Sequence, residues 1–408
     1  MKRLVSLGLL IACALMIPGL SVAADAPHIG EGGVPQFELD KAWPKWPVAW
    51  TAGAAITAVA PDEQGHIWFL TRPRNLPKDT PKSAVPPAVM EFDAAGNFIQ
   101  GWGGQSGPGY TWPANEHGLS IDSKGFVWIV GNYDNSTTNA DNAANDPTKP
   151  KNDSQVLKFT KAGKFVMAVG KPGLVGSNKT EVFRGATTPY YYEKTNELFV
   201  TDGYGNSRVI VFDADTGKFK RMWGAYGRPP LDLSDRPARS KPAKMPWVEV
   251  SEVLQQFQSP MHDVKISNDG LVYLADRGNK RVQVFTPEGK FIAEQFVGLD
   301  SKYPLQARFV AFSPDQRFLY LGGTPGTYVL NRRTLEVLST IPVGNGGQAD
   351  PIGHTSAVDK AGNLYLVQVV THGLDGKTPN SFGAVRLNFK GYSPVTVCCQ
   401  TEGVHAEP

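Results

Sequence analysis

Leu271–Gly298 reads LVYLADRGNKRVQVFTPEGKFIAEQFVG, and the grammar of this stretch recurs along the chain. Glu197–Gly224, ELFVTDGYGNSRVIVFDADTGKFKRMWG, repeats it closely, and Ala88–Gly104, AVMEFDAAGNFIQGWGG, and Gln155–Gly170, QVLKFTKAGKFVMAVG, repeat its second half. Each unit runs from β-branched and aromatic residues through Asp-x-Gly or Asp-Arg-Gly with Asn into a Val-x-Val-Phe strand. A glycine turn then leads to Lys-Phe and a further strand. Short runs of this composition bounded by turn residues read as antiparallel strands. Recurrence at a regular period marks a repeat architecture.

The opening strand of each unit has its own form, an apolar alternation followed by Asp-x-x-Gly and an aromatic-rich second strand. It begins at Ile56, Gly118, Thr188, His262, Phe309 and His354. Six starts predict six blades, an all-β six-bladed β-propeller. The motifs resemble the NHL repeat, over nearly the whole chain after the leader. The last unit has Ala384 and its successors as a third strand but lacks a fourth, so Phe37–Trp46 is expected to supply it and close the ring, which protects the edges. Two insertions interrupt the rhythm. Asn132–Asp153 is rich in Asn and Asp, and Arg228–Pro260 is rich in Pro and Arg, with one short helix expected over 248–257 and the better position for a lid.

The chain opens Met1-Lys2-Arg3, continues apolar from Leu4 to Ile17 and leaves through small residues to Ala23-Ala24. That is the pattern of a cleavable secretory signal over residues 1–24, and it predicts a periplasmic or secreted protein. The propeller then occupies 25–397 and a tail 398–408. No later stretch is apolar enough to cross a bilayer, so no membrane association is expected after cleavage. A formal charge of +3 over 408 residues gives no case for a nucleic-acid partner. Cys13 leaves with the signal, and the adjacent Cys398 and Cys399 cannot staple a fold, so stability must come from the core.

Seven histidines are present, and three of them, His117, His262 and His354, stand at the start of the first strand in blades two, four and six. Alternate blades of six are about 120° apart, so three imidazoles surround the axis with three-fold spacing. A three-histidine set with an open position suits a catalytic metal, for which Zn2+ is the usual occupant. His66, in a turn, and His28, His372 and His405 lack this placement and read as loop histidines. Loops between the second and third strands open on the same face as the histidines. They bring Arg72, Tyr204 and Arg277 there. Positive charge nearby favours a phenolate, which makes Tyr204 a candidate general base. Arg72 and Arg277 could grip a carboxylate at two points. Arg208 and Arg281 recur within the repeat and read as structural.

These residues resemble the peptidyl-α-hydroxyglycine α-amidating lyase family. The resemblance is carried by EHGLSID around His117, VTDGYGNSRV around Tyr204, SPMHDVKIS around His262, LADRGNKRVQVF around Arg277, PIGHTSAVD around His354 and the shorter FLTRP around Arg72. It implies a propeller with a zinc site at the three histidines, a catalytic tyrosine and functional arginines. The implied reaction cleaves a carbinolamide N–C bond to an amide and glyoxylate, with a small molecule or peptide bearing a carboxylate as substrate. Gly205 stands where the animal family has a cysteine, which removes a local disulfide. Thr355 stands in place of an aspartate associated with calcium and Ile352 in place of a methionine, which speaks against structural Ca2+. No Met/His cluster for a copper monooxygenase accompanies the propeller. Two alternatives stay open: a non-enzymatic NHL propeller that binds a ligand or protein, and a gluconolactonase-like metal-dependent hydrolase, whose acidic metal ligands differ from the histidines here.

Overall fold

The computed structural model describes residues 33–40, 42–50, 54–132, 153–172, 180, 182–232, 255–298, 305–324, 326–341, 353–369 and 383–393. The expected signal segment, Cys398–Cys399, Ile352, the tail and most of both insertions lie outside them. So does most of the helix expected over 248–257, of which only 255–257 are described, without helical structure. Among the described residues no helix is long and apolar enough to cross a membrane.

Among the described residues twenty-four strands form six four-stranded sheets. In chain order the first five blades are β2–β5 (Ile56–Trp102), β6–β9 (Glu116–Gly170), β10–β13 (Ala186–Trp223), β14–β17 (Asp263–Phe296) and β18–β21 (Gln306–Ile341). The sixth combines β22 (Thr355–Val358), β23 (Leu364–Val367) and β24 (Ala384–Ser393) with β1 (Val34–Asp40). The antiparallel β1·β24 pair closes the ring, with Phe37 opposite Phe389 and Asp40 opposite Arg386. This corrects the span expected for the closing strand, which runs over 34–40 rather than 37–46. Val34 is buried between blades five and six. Beyond Asp40, Pro44 and Pro47 lack the N–H that a ladder needs. Trp43 and Trp46 instead turn inward onto Phe69, at ring separations of 5.9 and 5.8 Å.

Burial follows the radius. The second strands β3 (Ile67–Thr71) and β15 (Val272–Asp276) are buried at every residue, while outer strands such as β5 (Phe98–Trp102) and β17 (Phe291–Phe296) are half exposed. Both faces of a blade pack on neighbours, so the hydrophobic core is divided into six clusters, one between each adjacent pair of blades. Trp43, Ile56, Phe69 and Tyr365 form the cluster between blades six and one, so packing as well as hydrogen bonding seals the ring.

The polar letters of the repeat have structural work. Asp202 accepts from Asn206 Nδ2 at 2.7 Å and Arg208 Nε at 3.0 Å, and Asp276 accepts from Asn279 Nδ2 at 2.7 Å and Arg281 Nε at 2.8 Å. Both ion pairs are fully buried, where a charge is tolerated only with a partner and satisfied hydrogen bonds. The turn between first and second strands is tied in a similar way, Trp68 Nε1 donating to Asp62 at 3.0 Å and Trp128 Nε1 to Asp122 at 2.8 Å.

Candidate metal centre

One position recurs in or just before the innermost strand of every blade, five residues before the residue that opens the first turn. It is held by Thr57, His117, Thr187, His262, Arg308 and His354. In four blades the ladder register breaks there, between Ile56 and Ala58, Glu116 and Gly118, Ala186 and Thr188, and Ala307 and Phe309. A bulge of this kind re-aims the side chain of the extra residue. The sequence therefore places histidine in every second blade at one register, and the ring gathers all three.

The imidazole centroids are 4.8 Å apart for His117 and His262, and 4.7 Å apart for His117 and His354 and for His262 and His354. One nitrogen from each lies within 4.8 Å of the others. Each Nδ1 contacts a backbone carbonyl of the next blade: His117 that of Thr187 at 2.9 Å, His262 that of Arg308 at 2.7 Å and His354 that of Thr57 at 2.7 Å. A carbonyl only accepts, so Nδ1 carries the proton and Nε2 keeps a lone pair. The Nε2 atoms of His117 and His262 are buried with no hydrogen-bond partner among the described residues. Burial pushes the His117 imidazolium down to about 3, helped by the Arg72 charge. Burial likewise holds His262 and His354 well below the ordinary histidine value, with the neighbouring imidazoles and arginines adding to it. Three neutral imidazoles, each oriented through Nδ1–H by a carbonyl and each aiming Nε2 at the others, fit a divalent metal with borderline-soft preference.

Tyr204 stands against this triad, its ring centroid 5.3 Å from that of His117 and 6.2 Å from that of His262. Its loop is held from several sides. Tyr204 N donates to Gly185 O at 3.0 Å, and Ser259 Oγ donates to Tyr204 O at 2.6 Å. Gly203 lies so close to Met261 that a Cβ would sit 1.8 Å from the Met261 carbonyl oxygen, and a Cβ on Gly205 would sit 2.2 Å from Arg184 Cγ. The glycine at 205 is thus required by Arg184 as well as leaving no thiol there.

Arg277 Nη1 reaches Tyr204 Oη in a long 3.4 Å contact, while its Nε and Nη2 donate to Gln306 Oε1 at 3.2 and 3.1 Å. Arg72 is buried, and its Nε donates to the Glu116 carbonyl at 2.7 Å. Its charge reaches His117 and His354. The structure thus brings His117, His262, His354, Tyr204 and Arg277 into direct proximity and sets Arg72 on the side of blades one and two. Arg208 and Arg281 belong to the buried Asp pairs. His66 is more than a loop residue: it is half-buried and its Nδ1 lies 2.7 Å from Glu91 Oε1. It shares a second cluster with Asp62 and Glu91 on the opposite face, but Lys161 Nζ already occupies Asp62 at 2.7 Å.

Arg308, Gln306 and Ser259 were not among the residues expected at the site. Arg308 had a signal: it stands five residues before Ser313, as His262 stands before Ser267.

Residues 262–285 match the NHL repeat family model. Over 354 residues the chain is 26% identical to human NHL repeat-containing protein 3, covering 82% of this chain and 81% of that one. It is 26% identical over 174 residues to a probable peptidyl-alpha-hydroxyglycine alpha-amidating lyase of Caenorhabditis elegans, covering 42% of this chain and 36% of the relative. With rat peptidylglycine alpha-amidating monooxygenase it shares 28% over 181 residues, 44% of this chain and 14% of the relative. The chain is a six-bladed propeller with one segment that matches the NHL repeat model and weak similarity to amidating enzymes.

Proposed function

We propose that this propeller is an exported zinc-dependent lyase that cleaves an α-hydroxyglycine-like carbinolamide to an amide and glyoxylate. The observation that carries the reading is the triad itself: three neutral imidazoles with Nδ1 tied to carbonyls, and the buried Nε2 atoms of His117 and His262 without a hydrogen-bond partner among the described residues, beside Tyr204 and Arg277. The names of two relatives, covering less than half of this chain, supply the reaction class. The basic start and apolar run before Ala24 support export.

His117, His262 and His354 would hold the metal. Bound there, Zn2+ would supply Lewis acidity toward the substrate hydroxyl or carboxylate. Tyr204 Oη takes the hydroxyl proton as general base. The O–H electron pair becomes the second bond of the new carbonyl, the C–N bond breaks, and the nitrogen takes a proton to complete the amide. Arg277 and Arg72 hold the substrate carboxylate and the developing negative charge. The test is glyoxylate release from α-hydroxyhippurate by the zinc-loaded full chain; no release above the zinc-only background sinks the reading.

A second reading is a propeller that binds a ligand or protein at this face without turnover. It is favoured by the four-fifths coverage in both directions with NHL repeat-containing protein 3, against less than half of this chain for the amidating enzymes. Metal binding without turnover, and with ligand affinity unaltered in Tyr204→Phe, is its signature.

A further inference from the structure

The six equivalent positions around the axis hold Thr57, His117, Thr187, His262, Arg308 and His354. Three are the histidines already described. The two threonines are fully buried and turned into the fold: Thr57 Oγ1 donates to Leu70 O at 3.3 Å, and Thr187 Oγ1 lies 3.1 Å from both Thr201 O and Met261 O, either of which accepts its one proton. Arg308 breaks this pattern. A cation stands where its two counterparts are small neutral groups, and it is half-buried rather than sealed.

Its side chain belongs to the same network as Tyr204. Arg308 Nη2 donates to Gln306 Oε1 at 3.0 Å, the oxygen that also accepts from Arg277 Nε and Nη2. Arg277 in turn reaches Tyr204 Oη. One amide oxygen, which carries no net charge, thus holds two guanidinium groups side by side, and like charges kept together attract an anion. The charge of Arg308 also reaches His262 and His354, which places it within electrostatic range of the triad on the side of blades four and five.

We propose that Arg308 is a substrate-binding residue which, paired with Arg277 through Gln306, extends the carboxylate pocket of Arg277 and Arg72. Gln306 is its positioning residue. The pocket selects acids over their neutral amides, because a guanidinium pair offers donors and charge but no acceptor. The inference deepens the lyase reading, on which it rests only for which acid is the natural one.

The test is equilibrium binding of hippurate and of its neutral amide, hippuramide, to the zinc-loaded full chain by calorimetry. Arg308→Gln is expected to weaken hippurate about tenfold or more, the scale of a lost charge-assisted hydrogen bond, while hippuramide affinity and bound zinc stay as in the wild type. Arg308→Lys restores part of the hippurate affinity. Both variants keep the carbonyl of residue 308 that orients His262, so zinc content reports separately on the triad. Should Arg308→Gln fail to fold, Gln306→Glu tests the same pocket, since a carboxylate on the pair must repel hippurate and spare hippuramide. Hippurate affinity equal to wild type in the folded variant, or equal losses for acid and amide, overturns the proposal. Acid-selective binding that depends on Arg308 without glyoxylate release leaves the pocket standing and removes only the lyase reading.

Discussion

His262 Nδ1 lies 2.7 Å from the carbonyl oxygen of Arg308 in the next blade, so one blade sets the tautomer of a histidine in another. The same relation repeats for His117 with Thr187 and for His354 with Thr57. Three even-numbered blades supply imidazoles and three odd-numbered blades orient them. This is the second-sphere arrangement that fixes ligand direction in histidine metal sites.

The metal site is therefore expected to behave as one unit. Elemental analysis of the purified chain after zinc loading should find one ion per chain, and His117→Ala, His262→Ala and His354→Ala should each lower its affinity by at least about 100-fold, more than the loss typical of a second-sphere change. Wild-type stoichiometry in all three variants would rule out the triad as the ligand set.

Tyr204→Phe separates metal binding from proton transfer. The phenyl ring keeps its packing against His117 and His262 while the acid–base group is gone. Bound zinc should be unchanged and kcat for glyoxylate release should fall about 100-fold or more. Turnover at the wild-type rate would remove Tyr204 from the role of base.

Gly203→Ala tests how tightly the tyrosine loop is held. The added Cβ would meet the backbone of Met261, with the carbonyl oxygen at 1.8 Å, and a backbone obstacle cannot rotate away. A loss of about 1–3 kcal/mol or more is expected, on the scale of overpacking, measured as a lower midpoint in urea. An unchanged midpoint would show that the loop yields freely.

Buried ion pairs of the repeat should be costly to halve. Arg208→Ala leaves Asp202 buried without its guanidinium, and Arg281→Ala does the same to Asp276. Each is expected to cost about 3–5 kcal/mol, with Asp202→Asn/Arg208→Met less damaging than Arg208→Ala alone. Equal penalties for the single and the double change would argue against an uncompensated charge as the cause.

Glu197 sets a pH dependence away from the metal site. Burial pushes its carboxyl up, but hydrogen bonds from Arg221, Lys220 and Thr195 outweigh burial and hold it at about 2 against an ordinary 4.5. The depressed value means that its stabilisation is complete above the ordinary value and is lost as pH falls toward the folded one. The penalty for Glu197→Gln should be about 3 kcal/mol near neutrality and about half that at pH 3. Chemical denaturation at the two pH values reads it, and a penalty independent of pH would contradict the assignment.

Much of this molecule is written locally. The blades are legible because each strand is a short apolar alternation between turn residues, and a repeat displays that pattern six times. The triad is legible for the same reason, since His117, His262 and His354 occupy one register of the repeat. Arg308 occupies it too, but a lone arginine ahead of a strand looks like ordinary surface charge until its neighbours are known. Trp43 and Trp46 resemble strand residues, but the closing strand stops at Asp40, because Pro44 and Pro47 lack the ladder N–H and both indoles pack on Phe69 instead.

The sequence by itself determined the propeller, the blade count and the placing of histidine in alternate blades, because these depend on patterns within single repeats. Only the tertiary structure decided which imidazole nitrogen faces the centre, that Tyr204 leans on His117 and His262, and that Gln306 binds Arg277 beside Arg308. Those relations join residues of different blades, separated by tens to hundreds of positions, and they exist only after the ring has closed.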